Sequence, residues 1–181
     1  GMVVRIIGVD TQEAARPAAE AAFQKEISNL EGQHAVDFSK PVEKATVPQR
    51  VKDALFVGMR PILVEKMAEL GLPDAEKVYN VRIILQGNYV KDVDGRKVVE
   101  KVKHDVPVTL SEVRALIANA LTEPDPQVYH ADVIGAYLKA TLKGRPVYAR
   151  VPSSVWRHLP RHLRRQYEQM KEPYVRVERA M

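Results

Sequence analysis

The stretch Ala131-Asp132-Val133-Ile134-Gly135-Ala136-Tyr137-Leu138 places a carboxylate near the end of an apolar run, then a small pair, then an aromatic. The run from Val128 to Val133 has the branched, apolar character of a buried strand. Gly135 breaks it, so Ile134 to Leu138 should open a turn or short helix. Two readings of Asp132 stand side by side. It can cap the turn that follows, with Tyr137 a core residue, or it can be a working acid at a strand end. The segments on either side bear on the choice.

Working outward, Val147 to Val151 reads as a strand closed by Pro152, and the tail reads as helical from Leu159 to Lys171. Upstream, Leu110 to Leu121 has an apolar face from Val113, Leu116, Ile117 and Ala120, with Ser111 as cap, and Glu123-Pro124-Asp125-Pro126 ends it. Val78 to Leu85 and Val98 to Val102 flank Asp94-Gly95 and should pair as a hairpin. Arg60 to Lys66 reads as a strand, although Pro61 could equally open a helix, and Val36 to Phe38 reads as a further strand. Thr11 to Leu30 reads as a helix capped by Thr11, with Phe23, Ile27 and Leu30 on one face and Gly32 as its stop. The fold class expected is α+β.

The chain has 181 residues, 45% hydrophobic and 28% charged, a balance that suits one domain with a real core. No apolar stretch reaches the ~18 to 20 residues that span a bilayer, so no membrane partner and an intracellular, cytoplasmic setting are expected. Cysteine is absent, which excludes disulfides, thiolate metal sites and cysteine nucleophiles. The net charge of +5 is unevenly spread. Residues 1 to 138 carry 17 Lys and Arg against 20 Asp and Glu, whereas residues 139 to 181 carry 11 against 3. That tail, with Arg157, Arg161, Arg164 and Arg165 around Trp156 and Tyr167, suits a polyanion such as nucleic acid and is equally compatible with a solvated basic helix. His158 and His162, four apart, could hold a transition metal but lack Glu-x-x-His framing, and the reading preferred for them is a solvated basic face.

Four segments in order carry a resemblance. Ala22 to Leu30 contains Lys25-Glu26 and Leu30. Tyr79-Asn80-Val81-Arg82-Ile83-Ile84-Leu85-Gln86-Gly87 follows, then Val106-Pro107-Val108-Thr109 leading to Arg114-Ala115-Leu116-Ile117-Ala118. After the aspartate stretch come Leu142, Val147-Tyr148-Ala149-Arg150 and Pro152. Together with Asp132 and Tyr137 these resemble the front of a copia-type retrotransposon reverse transcriptase domain along most of the chain.

The resemblance implies reverse-transcriptase-like fingers and the beginning of a palm in an incomplete domain. Residues 1–13 would be an N-terminal lead, and residues 14–181 a partial domain with fingers at 14–122 and the palm start with its basic tail at 123–181. It implies a parent that is an RNA-directed DNA polymerase using an RNA template, a DNA primer, deoxynucleotides and Mg2+, intracellular or particle-associated in its element. The carboxylate of Asp132, as catalytic acid, and the carbonyl of Val133 would bind the metal, since hard dications favour oxygen ligands. Tyr137 would pack under the nucleotide sugar and exclude a 2′-hydroxyl. Arg82 would reach the incoming triphosphate, where a planar guanidinium can pair two oxygens.

The sequence departs from the family at Asn80 and Gln86, where lysines are frequent, with Lys66 a substitute from the preceding strand. The larger departure is at the end. No Tyr-x-Asp-Asp hairpin is present, and Tyr174 to Met181 looks like the strand leading into the segment before it. Two dications need several carboxylates, so the chain alone is not expected to polymerise. A non-catalytic nucleic-acid-binding remnant is the alternative, and an unrelated α+β interaction domain a third reading.

Overall fold

The computed structural model describes residues 3–98, 108–122, 124–127, 129, 136–139 and 141–179. It is a mixed α+β structure with two compact units. One is formed by Gly1–Val98 with Tyr137–Met181, the other by Val99–Ala136.

The first unit is built on a six-stranded mixed sheet. Strands β1 (Val4–Ile7), β3 (Leu55–Lys66) and β4 (Val78–Leu85) are antiparallel, with β1 and β4 flanking the second half of β3. The first half of β3 runs parallel to β5 (Val147–Arg150). That strand pairs antiparallel with β6 (Pro173–Val177), which carries the two-residue β2 (Val42–Glu43). Residues 4–7, expected as a lead, are thus a strand of the sheet, and the strands expected in fingers and palm share one sheet.

β3 shows why the residues choose strand over helix. Leu55 to Lys66 is dominated by branched and apolar residues, and from Met59 onward burial alternates residue by residue. The helix alternative at Pro61 is therefore excluded, and the strand begins five residues before Arg60. Odd positions Met59, Leu63 and Glu65 face helix α1 (Pro17–Gly32), whose Ala19, Phe23, Ile27 and Leu30 are buried with Val81 and Ile83 of β4. Burying each large apolar side chain there stabilises by about 1.5–3 kcal/mol.

α1 begins later than expected. Pro17 has no N–H to give and a fixed φ, so it suits the first helical position and forbids a helix running through it from Thr11. Arg16 before it is extended, as a residue preceding proline prefers. Thr11 instead closes a turn, its hydroxyl donating to Gly8 O at 2.7 Å. Gly32 does not stop α1 but lies within it. The reversal falls on His34, at φ 54°, with Ala35 N–H reaching back to Leu30 O at 2.9 Å.

Val36 to Phe38 is not a strand. Only Val36 makes an isolated bridge, to Val177. The tight turn does form, with Asp92 N–H donating to Arg96 O at 3.0 Å, but it joins Lys91 to Lys97 rather than β4 to a partner strand. Residues 99–102 lie outside the described residues.

In the second unit, helix α3 (Leu110–Ala120) is capped two residues earlier than expected. Thr109, not Ser111, forms the capping box, accepting from Glu112 N–H at 3.3 Å while Glu112 accepts from Thr109 N–H at 2.6 Å.

The helix expected from Leu159 to Lys171 forms as α6 (Arg161–Glu168), shorter at both ends, and a short helix α5 (Ser153–Trp156) that was not expected precedes it. Pro160 separates them.

Candidate nucleic-acid interface

The sheet is covered on both faces at one end and on one face at the other. Around residues 54–56 of β3, the face opposite α1 carries a second small core. Phe56 meets Tyr174 edge-on at 5.4 Å and packs with Val47 of helix α2 (Val47–Arg50). Beyond Gly58, among the described residues, no core cluster covers that face. Its even-numbered positions on β3 are Arg60, Ile62, Val64 and Lys66.

The register places the neighbours. Arg82 lies opposite Ile62, Ile84 opposite Arg60, Asn80 opposite Val64 and Val78 opposite Lys66, while β1 adds Ile6 and Val4. Arg150 of β5 lies opposite Gly58 and continues the row. Arg60, Arg82 and Arg150 are exposed and Lys66 is half-buried. None of these positions on β1, β3 or β4 is Asp or Glu. Among the described residues none of the four cations is ion-paired.

Three acids, Glu65, Glu13 and Asp74, are engaged on the other face. Glu65, 4% exposed, accepts two bonds from Arg5, at 2.9 and 2.5 Å, and Arg5 also pairs with Glu13 at 2.5 Å. Lys77 pairs with Asp74 at 3.1 Å, and Arg16 with Asp74 at 2.6 Å. These bonds knit β1, β3 and the start of α1 and neutralise that side.

Gln86 marks the seam. Its N–H donates to Gly58 O at 2.8 Å, and its side chain lies where a Cβ on Gly58 would stand, 2.4 Å from Oε1. Clefts of about 600 and 550 Å³ meet around it, the first bordered by Arg150, Trp156 and Lys171, the second by Arg60 and Ile6.

The expected site residues divide into three groups. Arg82 stands on the open sheet face. Asp132 and Val133 lie outside the described residues, and Tyr137 is described only as part of the short helix α4 (Ala136–Lys139). The four tail arginines do not act alike. Arg161 and Arg165 are exposed and, with Arg164 and Glu168, border a cleft of about 290 Å³. Arg164 is half-buried, with Nη2 donating to Leu159 O at 3.2 Å and Nε lacking any partner. Arg157 is half-buried and its donors are engaged, pairing with the exposed Asp10 at 3.0 Å and donating to Val9 O.

The solvated basic face expected around Trp156, Tyr167, His158 and His162 is corrected in the same way. Tyr167 is 1% exposed and its hydroxyl donates to Phe38 O at 2.9 Å. His158 is buried, with Nδ1 2.5 Å from Glu20 Oε2, and only His162 is exposed. The pair shares no surface. The sequence reading missed Arg60 and Arg150, whose signal was the alternation of β3 and β5 with arginine on the polar beat.

Among the described residues no group of three or more His, Asp or Glu could hold a metal ion, and no helix is long and apolar enough to cross a membrane. No protein-family model, curated protein or solved structure matches this chain.

Proposed function

We propose that this chain is the front part of a copia-type reverse transcriptase, with the open sheet face as the surface that meets the phosphates of nucleotide and nucleic acid. The observation that carries the reading is the set of Arg60, Lys66, Arg82 and Arg150 on a sheet face whose β1, β3 and β4 positions hold no acid. A planar guanidinium pairs two phosphate oxygens at once, and unpaired cations on a shared face raise the local concentration of polyanions.

The quoted segments also fall on discrete elements. Tyr79 to Leu85 is β4, Arg114 to Ala118 lies in the Thr109-capped α3, and Val147 to Arg150 is β5 followed by Pro152. In the parent, Asp132 and the Val133 carbonyl would hold Mg2+ with carboxylates of the second motif, and the ions would offset charge developing on the transferred phosphoryl group. Tyr137 would set sugar selectivity. The parent would work inside the cell, in cytoplasm or particle.

Filter binding of RNA–DNA hybrid across a salt series tests the surface. Counterion release predicts affinity falling steeply with salt, and replacing Arg60, Arg82 and Arg150 with Gln should flatten the log–log slope by about one unit per lost phosphate contact. Binding with no salt dependence, or an unchanged slope in the triple variant, overturns the assignment. The second reading, a non-catalytic nucleic-acid-binding module, is favoured by exposed Arg161 and Arg165 on α6. It predicts hybrid binding without primer extension in any longer form of the chain.

A further inference from the structure

At the corner between α5 and α6, His158 is held on three sides. Its ring lies on Phe23 of α1, centroids 3.9 Å apart. Its Nδ1 is 2.5 Å from Glu20 Oε2 of α1, and its Nε2 is 3.3 Å from Arg157 Nε. Gln24 of α1 donates to its carbonyl at 2.5 Å.

The tautomer follows from the partners. A guanidinium has donors and no acceptor, so Nε2 must offer its lone pair to Arg157, and the proton of the neutral ring sits on Nδ1, donated to Glu20. Arg157 uses its remaining donors on Asp10 and Val9 O, in the loop after β1. A single hydrogen-bonded chain therefore runs from α1 through the imidazole and Arg157 to that loop.

We infer that His158 is a proton-operated latch on Arg157: the neutral ring accepts from Arg157 Nε and fixes a half-exposed guanidinium that also bonds Asp10 and Val9 O, and protonation of Nε2 removes that acceptor and loosens the guanidinium toward Arg161 and Arg165 on the basic surface. A proton on Nε2 places a donor against a donor at 3.3 Å. The charged groups around the ring are Glu20 from α1, Arg157 from its own turn and Arg164 from α6, with Asp10 reached through Arg157. An imidazolium would thus meet two guanidiniums and one carboxylate. Burial holds the ring's proton affinity below the ordinary histidine value; Glu20 opposes it next in size, and Arg157 and Arg164 add smaller lowering contributions. Release accordingly falls below about pH 6.5. The latch itself stands on the corner's geometry, while its effect on polyanions rests on the proposed basic surface.

The test follows the His158 ring nitrogens and the Arg157 Nε–H by 15N NMR from neutral pH to about 5. The two should shift with one midpoint. In His158→Gln, whose carboxamide oxygen can accept from Arg157 but cannot titrate, the Arg157 signal should stay fixed. A parallel arm measures duplex DNA affinity over the same range. The wild type should gain about one unit of salt slope on acidification. His158→Gln and Arg157→Gln should each lose that increment. An Arg157 signal that ignores the His158 titration, or a His158 that takes no proton before the fold is lost, overturns the latch. Coupled NMR shifts with unchanged DNA affinity uphold the latch and overturn the basic surface instead.

Discussion

The imidazole of His158 lies nearly parallel to the ring of Phe23, at an interplanar angle of 10°. This contact joins the middle of α1 to the α5–α6 corner and makes the arginine-rich tail part of the core, with Val155, Leu159 and Tyr167 buried in the same cluster. Phe23 is fully buried, so Phe23→Ala leaves a cavity that the sheet on one side and the histidine on the other can only partly fill. A loss of about 3–5 kcal/mol is expected, read as a lower urea midpoint. A loss under about 1 kcal/mol would mean that the corner is not packed as described.

The same histidine sets an acid dependence of stability. Its folded-state proton affinity is below the unfolded value, chiefly through burial. Between the folded value and about 6.5 the unfolded chain therefore binds more protons, and stability rises with pH there and is flat above. Urea midpoints should fall as pH drops below about 6.5, and His158→Gln should remove that component. A variant with the wild-type slope would assign the dependence to other groups.

Tyr167 makes the second long-range tie of the tail. Burial pushes its phenol far above the usual range, so it stays a neutral donor to the Phe38 carbonyl. Tyr167→Phe keeps the ring against Trp156 and strands one buried acceptor, at a cost of about 1–3 kcal/mol. Thermal unfolding of the two proteins measures it, and equal midpoints would contradict the bond.

Elements with a strong local pattern were legible in the sequence. β4 and β5 announce themselves by branched alternation and by Pro152, and α3 by its apolar face. The misreadings have physical causes. Periodicity carried the α1 reading through Pro17, where the chain cannot be helical beforehand. The tail's arginines suggested a solvated helix because Phe23 and Phe38, the partners that bury His158 and Tyr167, lie more than a hundred residues away. Arg82 was a candidate only through what the resemblance implied, and its company with Arg60 and Arg150 depends on a register that no local window contains.

Under the proposed reading, Tyr137 and Asp132 would separate selectivity from catalysis. In a chain that continues through a Tyr-x-Asp-Asp hairpin, Tyr137→Ala should keep extension with deoxynucleotides and gain ribonucleotide incorporation, because it opens space under the sugar without removing a carboxylate. Retained exclusion of ribonucleotides would remove Tyr137 from that role.

The central claim is tested most directly by primer extension on an RNA template with Asp132→Asn in the same longer chain. The amide keeps the shape of the carboxylate and removes its charge, so the account predicts a loss of at least ~100-fold, the scale of removing one preorganised electrostatic group. An Asp132→Asn enzyme that extends primers at the unmodified rate would contradict the assignment and the polymerase reading with it.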